Sequence, residues 1–264
     1  MIRWSTPFTA ALAARGYRVI RFDNRDCGLS THLDALPAPD FGALAAALVA
    51  GERPAMPYSL TDMVNDALAL LDALDIDRAH VVGRSMGGMI AQAMASEAPD
   101  RVLSLTSIMS GTGNPALPQA DPEVMALMTR PRPDPAADPD GFLAHSLAFA
   151  RRIAGSGSAF DPEAEGRLAL QEARRARDPA GTARQLAAMA TAGDRRDRLA
   201  TIAAPTLVVH GTEDPLIPPD HGRDTADAIP GAELMLIDGM GHDLSATVQP
   251  RIVDAIDRTA RRAS

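Results

Sequence analysis

The chain has 264 residues, a formal charge of −8 and an apolar share of 46%. That share supplies a buried core and excludes global disorder, which needs low hydrophobicity combined with high net charge. The acidic balance, with no Lys/Arg cluster interleaved with aromatics, argues against nucleic acid as a partner, and the lack of an apolar run of about 18 residues argues against a transmembrane helix.

A first helix is expected from about Thr6 to Arg15, with Pro7 suiting its first turn and Gly16 stopping it. Tyr17–Phe22 alternates and is β-rich, which predicts a strand. Asp23–Ser30 is a polar turn segment, and 35–57 reads as a Pro- and Gly-punctuated loop with a short helix. Ser59 or Thr61 caps a helix over about 60–74. Strand 79–83, helix 86–96 and strand 102–108 follow, the helix ending before Pro99. From 113 to 199 the composition turns rich in Pro, Asp, Arg and Ala, with helical patterns at 141–154, 162–177 and 180–191 and no strand signal. Strand 206–210, helix 220–228, strand 233–237 and a last helix over about 245–261 complete the chain.

Strands alternating with helices predict an α/β fold, a mostly parallel sheet with helices on both faces. The helical block is then an insertion, dividing the chain into 1–112 (core, first part), 113–199 (helical insertion) and 200–264 (core, second part). The single cysteine, Cys27, cannot form an intramolecular disulfide, and Met1–Ser5 lacks a basic region followed by an apolar core. Both features suit a cytoplasmic protein.

Gly83-Arg84-Ser85-Met86-Gly87 matches G-x-S-x-G between an apolar strand and a helix. A nucleophile elbow needs that context, because the tight strand-to-helix turn demands small residues two before and two after the serine. The adjacent helix N-terminus favours developing negative charge, and the Met86 N–H is a candidate oxyanion donor. A serine hydroxyl needs a base to take its proton. His242 follows the strand 233–237 in the turn Gly239-Met240-Gly241-His242. The base needs an acid to fix its tautomer, and Asp214 lies beyond the strand 206–210, with Glu213 its local competitor. The order Ser85, Asp214, His242, each after its own strand, is the one expected of α/β-hydrolases.

Those turns, together with Arg21–Ser30, Tyr58–Met63 and Gly83–Gln92, resemble the carboxylesterase-type α/β-hydrolases, the family that includes aclacinomycin methylesterase. The resemblance spans the whole chain and is weakest in the helical block. It implies hydrolysis of small-molecule carboxylic esters through an acyl-enzyme, with no cofactor and no metal, and a helical block acting as a lid. It also implies structural roles for Asp23–Asp26 and Asp62 in tying loops together at the sheet edge.

The resemblance further implies about three strands ahead of the first helix and a Gly-containing loop that donates the other oxyanion N–H. Met1 falls just after that loop, so the sheet is expected to be incomplete on its N-terminal side. The gap should fall between the strands 17–22 and 79–83, leaving Met86 as the one oxyanion donor. The same triad also serves C–C bond hydrolysis, amide cleavage and perhydrolysis, and a non-catalytic binding protein of the same fold is the rival outside enzymology.

His32, His80, His145, His210 and His221 form no metal-ligand spacing and read as incidental. Met86, Met89, Met125, Met128, Met189 and Met240 fit an adaptable pocket and ordinary core equally well. Arg84 either steers an anionic substrate group or pairs with a neighbouring carboxylate, the second being the preferred expectation.

Overall fold

The computed structural model describes residues 1–52 and 54–263. Four strands, β1 (Ala79–Arg84), β2 (Val102–Ile108), β3 (Thr206–Gly211) and β4 (Glu233–Ile237), form an all-parallel sheet in the order β1-β2-β3-β4. β3 is buried at every position and β2 at all but one, as expected of strands covered on both faces.

The helices are α1 (Thr6–Ala13), α2 (Phe41–Val49), α3 (Leu60–Ala73), α4 (Met86–Glu97), α5 (Pro122–Thr129), α6 (Pro139–Ile153), α7 (Pro162–Arg175), α8 (Pro179–Ala190), α9 (Arg196–Leu199), α10 (Pro219–Ala228) and α11 (Gln249–Ala260). Each face of the sheet has its own core. On one face Leu60, Met63, Val64 and Leu71 of α3 pack with Ile90 and Met94 of α4 and with Leu105 of β2. On the other, Phe8 and Leu12 of α1 and Ile252, Val253 and Ile256 of α11 cover Ile108, Leu207, Val209 and Ile237. Leu207 and Val209 face this second core because successive strand side chains point to opposite faces. Burial of each such side chain stabilises the fold by about 1.5–3 kcal/mol.

Start signals in the sequence set the helix boundaries. Ser59 and Asp62 form a reciprocal capping box at α3, which gives Asp62 the structural role expected of it. Asp121, Asp138, Asp161 and Asp178 cap α5, α6, α7 and α8, each followed by proline at the first helical position. Proline's fixed φ and missing N–H suit that position. The sequence reading missed α5 and α9. The last helix starts at Gln249, later than the expected 245, because 245–248 is turn.

One expected strand does not form. Tyr17–Phe22 has no ladder hydrogen bonds among the described residues, and β1 pairs only with β2. A strand is defined by its ladder partner, and Tyr17–Phe22 has none among the described residues. Side chains hold the segment instead. The Tyr17 hydroxyl donates to Asp257 at 2.7 Å, its ring meets His80 edge-on at 5.7 Å, and Val19 packs against the α1–α11 core.

Between β2 and β3 the chain carries α5 to α9 and no strand among the described residues. Buried charge ties this block to the first part of the chain. Arg184 of α8 holds Asp26 with two bonds, Nε to Oδ2 at 2.7 Å and Nη2 to Oδ1 at 2.9 Å, and both side chains are fully buried. Hydrogen bonds from Arg184 first, then from the Leu33 N–H and the Tyr58 hydroxyl, outweigh desolvation and bring the Asp26 carboxyl down to about 2. Arg175 pairs with Asp23 at 2.5 Å, and Arg25 pairs with Asp66 of α3 at 2.6 Å. The Asp23–Asp26 segment is thus structural, as expected, and it binds the helical block as well as neighbouring loops.

Candidate active site

Ser85 is the single residue between β1 and α4, with φ 53° and ψ −125°. A non-glycine residue at positive φ carries about 1–3 kcal/mol of strain, and such strain gathers at functional turns. The Ser85 N–H donates to Ile108 O at 2.9 Å, anchoring the elbow to the end of β2. Tightness falls unevenly on the motif glycines. A Cβ on Gly83 would lie 2.0 Å from Gly87 O, and one on Gly88 would lie 2.6 Å from Ser110 Cβ. A Cβ on Gly87 would meet nothing within 4 Å, so the small residues this turn requires are Gly83 and Gly88. The Met86 N–H opens α4, has no backbone acceptor among the described residues, and lies at the positive end of the helix dipole.

Asp214 lies three residues past β3 and His242 five past β4. The strands are parallel, so Ser85, Asp214 and His242 all emerge at the carboxyl edge of the sheet. Asp214 and His242 are both 4% exposed, and His242 Nδ1 lies 2.7 Å from Asp214 Oδ2. Asp214 Oδ1 accepts from the Leu216 N–H at 2.9 Å and the Ile217 N–H at 2.8 Å. Burial pushes the Asp214 carboxyl up, but hydrogen bonds from His210, His242 and the backbone outweigh it and hold the group well below the usual carboxylate range. An ionised Asp214 fixes the Nδ1–H tautomer of His242 and leaves Nε2 free to act as a base. Among the described residues, Ser85 Oγ and the His242 ring make no hydrogen bond to each other.

The helical block reaches these turns through its backbone. The His242 N–H donates to Ile153 O, the last residue of α6, at 2.7 Å, and the Gly157 N–H donates to Gly239 O at 2.8 Å. Glu213, the sequence competitor to Asp214, is exposed and turned away. It accepts from the Ser156 N–H at 2.6 Å and the Ser156 hydroxyl at 2.7 Å.

Several sequence expectations need correction. Arg84 forms no carboxylate ion pair among the described residues. Its one hydrogen bond there goes to Arg3 O at 3.4 Å, and desolvation pushes its guanidinium down to about 10. His210 is not incidental: it is fully buried, with Nε2 3.5 Å from Asp214 Oδ2. The signal for it in the sequence was its place four residues before Asp214 at a strand end. His32 is not incidental either, binding Asp178 at 2.9 Å. His221 meets Pro118 O at 2.9 Å and plays no part at Asp214. Met86, Met89 and Met189 pack on the α3–α4 core and Met240 lies within the other core, so these four serve packing. Asp26, His32 and Asp178 bring ligand-type atoms within 4.8 Å of one another, but the Arg184 guanidinium is already bonded to both carboxylates, and a second cation among them does not fit.

Comparison with known proteins identifies the class. The chain belongs to the alpha/beta hydrolase fold family, whose model matches residues 3–247. It is 31% identical to rhodomycin D methylesterase DauP of Streptomyces sp. (strain C5), over 99% of this chain and 87% of the relative. It is 30% identical to rhodomycin D methylesterase DnrP of Streptomyces peucetius, over the same shares. Among solved structures, the enol-lactonase from Burkholderia xenovorans LB400 superimposes with a TM-score of 0.65 at 26% identity, covering 99% of this chain and 85% of that one. Among the described residues, no helix is long and apolar enough to cross a membrane.

Proposed function

We propose that this protein hydrolyses carboxylic esters of small molecules through an acyl-enzyme, with Ser85 as nucleophile, His242 as general base and acid, and Asp214 as the acid that orients it. The observation that carries the reading is the 2.7 Å contact between two buried side chains, His242 Nδ1 and Asp214 Oδ2, at the same sheet edge as the strained Ser85 elbow. In this reading Ser85 Oγ attacks the acyl carbon as His242 Nε2 takes its proton. The Met86 N–H stabilises the oxyanion. The imidazolium then protonates the leaving alcohol, and water, activated by the same base, releases the acid. The methylesterases, aligned over nearly the whole chain, support an ester over the other bonds such a triad cleaves.

The helical block 113–199 is read as a lid. Its contacts at Ile153, Ser156 and Gly157 with the acid and histidine turns support that role, since a lid excludes water and shapes the acyl pocket. The exposed, unpaired Cys27 agrees with action in the reducing cytoplasm. A fluorophosphonate probe, followed by peptide mapping and p-nitrophenyl ester assays, tests the central claim. Covalent labelling at Ser85 with ester turnover is expected. A protein that turns over esters without labelling at Ser85, or does neither, overturns it.

A further inference from the structure

Asp214 is faced by a second histidine, which the mechanism above does not use. His210 is the penultimate residue of β3, and its side chain is fully buried. Its Nε2 lies 2.8 Å from Ile217 O and 3.5 Å from Asp214 Oδ2. A carbonyl oxygen only accepts, so the 2.8 Å contact places the ring proton on Nε2. Nδ1 is buried with no hydrogen-bond partner, and it faces Gly222 of α10, where an added Cβ would lie 2.6 Å away. A proton on Nδ1 would be a buried donor with no acceptor, so the ring is neutral and in the Nε2–H form.

That one N–H lies against two acceptors of the same turn. Asp214 Oδ1 closes the turn from inside by accepting from the N–H groups of Leu216 and Ile217. His210 closes it from the strand by donating to Ile217 O, and it presents the same donor to Oδ2, the oxygen that binds His242. Among the described residues, the titratable groups facing Asp214 are His242 and His210, whereas Glu213 is turned out to Ser156.

We propose that His210 is a positioning residue for the acid: its neutral Nε2–H locks the 214–217 turn and shares Asp214 Oδ2 with His242, thereby setting the orientation and basicity of His242. The proposal rests on the reading of Asp214 and His242 as acid and base. A donor on Oδ2 draws charge from the carboxylate and weakens its support of the imidazolium. Removing that donor therefore raises the pH of the acidic limb of kcat/KM, while the looser turn lowers kcat.

The test compares three variants of the full chain. In His210→Leu the donor is gone. In His210→Asn the polar volume stays but the amide is too short to reach the Nε2 position, which serves if the Leu variant does not fold. In His210→Gln the amide nitrogen stands at the Nε2 position. The Leu and Asn variants should lose roughly 10-fold or more in kcat with little change in KM, and their acidic limb should move to higher pH. The Gln variant should recover most of both. In parallel, the downfield proton resonance of His242 Nδ1–H should move further downfield in Leu or Asn and return in Gln, a reading that needs no turnover. Equal losses in all three variants with an unmoved acidic limb would assign His210 to packing alone and overturn the proposal, as would an unmoved resonance. Failure of the wild type to label at Ser85 overturns the esterase reading instead, and the resonance still decides the role of His210.

Discussion

The His242 N–H donates to Ile153 O at 2.7 Å, so the backbone of the proposed base hangs on the last residue of a helix in the inserted block. The approach is close enough that a Cβ on Gly241 would lie 2.2 Å from Ile153 O, and one on Gly155 would lie 2.0 Å from Gly239 O. Gly241→Ala must push the histidine turn and α6 apart. Because small misplacements of catalytic groups are costly, kcat/KM should fall roughly 100-fold with a much smaller change in melting temperature. Unchanged turnover in a folded Gly241→Ala variant would show that the position of the base does not depend on α6.

Ser85→Ala should reduce ester turnover roughly 10⁴-fold or more while the fold persists, because triad members act as one unit. For the same reason, adding His242→Ala to that variant should cost little more. Steady-state assays of both variants check this. A large additional loss in the double variant would mean that His242 acts independently of Ser85.

Arg184→Ala leaves Asp26 fully buried without its cation. Breaking a buried pair in this way costs about 3–5 kcal/mol, roughly 6–20 °C of melting temperature for a chain of this size. Denaturant unfolding measures it. A loss below about 1 kcal/mol would mean that the site relaxes or admits water freely.

Both ring nitrogens of His32 meet acceptors, Nδ1 with Asp178 Oδ2 at 2.9 Å and Nε2 with Gly28 O at 3.1 Å. Both contacts are hydrogen bonds only when the ring is an imidazolium. The bond to Asp178 first, and the one to Gly28 next, raise His32 above its ordinary 6.5. Asp26 and Asp34 add negative charge nearby, and Arg184 Nη2 shares Asp178 Oδ2 with the ring at 3.3 Å. A raised folded-state value contributes stability that is fully present below 6.5 and is lost as pH rises through the folded value. Melting temperature should therefore decline as pH rises above 6.5, and His32→Asn should remove that decline. A wild type and a variant with parallel pH–stability curves would sink this reading.

Sequence alone determined the elements that depend on local chemistry. The apolar runs 79–83, 102–108, 206–210 and 233–237 are strands because they are β-rich, short and bounded by turn residues. The elbow was legible because only glycine lets a carbonyl approach as closely as Gly87 O approaches Gly83. The Asp-Pro starts at 121, 138, 161 and 178 mark α5 as clearly as α6 to α8. Tertiary structure decided whatever needs a partner distant in sequence. Tyr17–Phe22 has strand chemistry, yet no neighbour gives it a ladder. Glu213 and Asp214 are equivalent acids in the sequence, and only packing turns one out to Ser156 and buries the other against His242. His210 and His32 looked incidental because a histidine's role is set by what its two nitrogens meet, and their partners are brought to them by the fold.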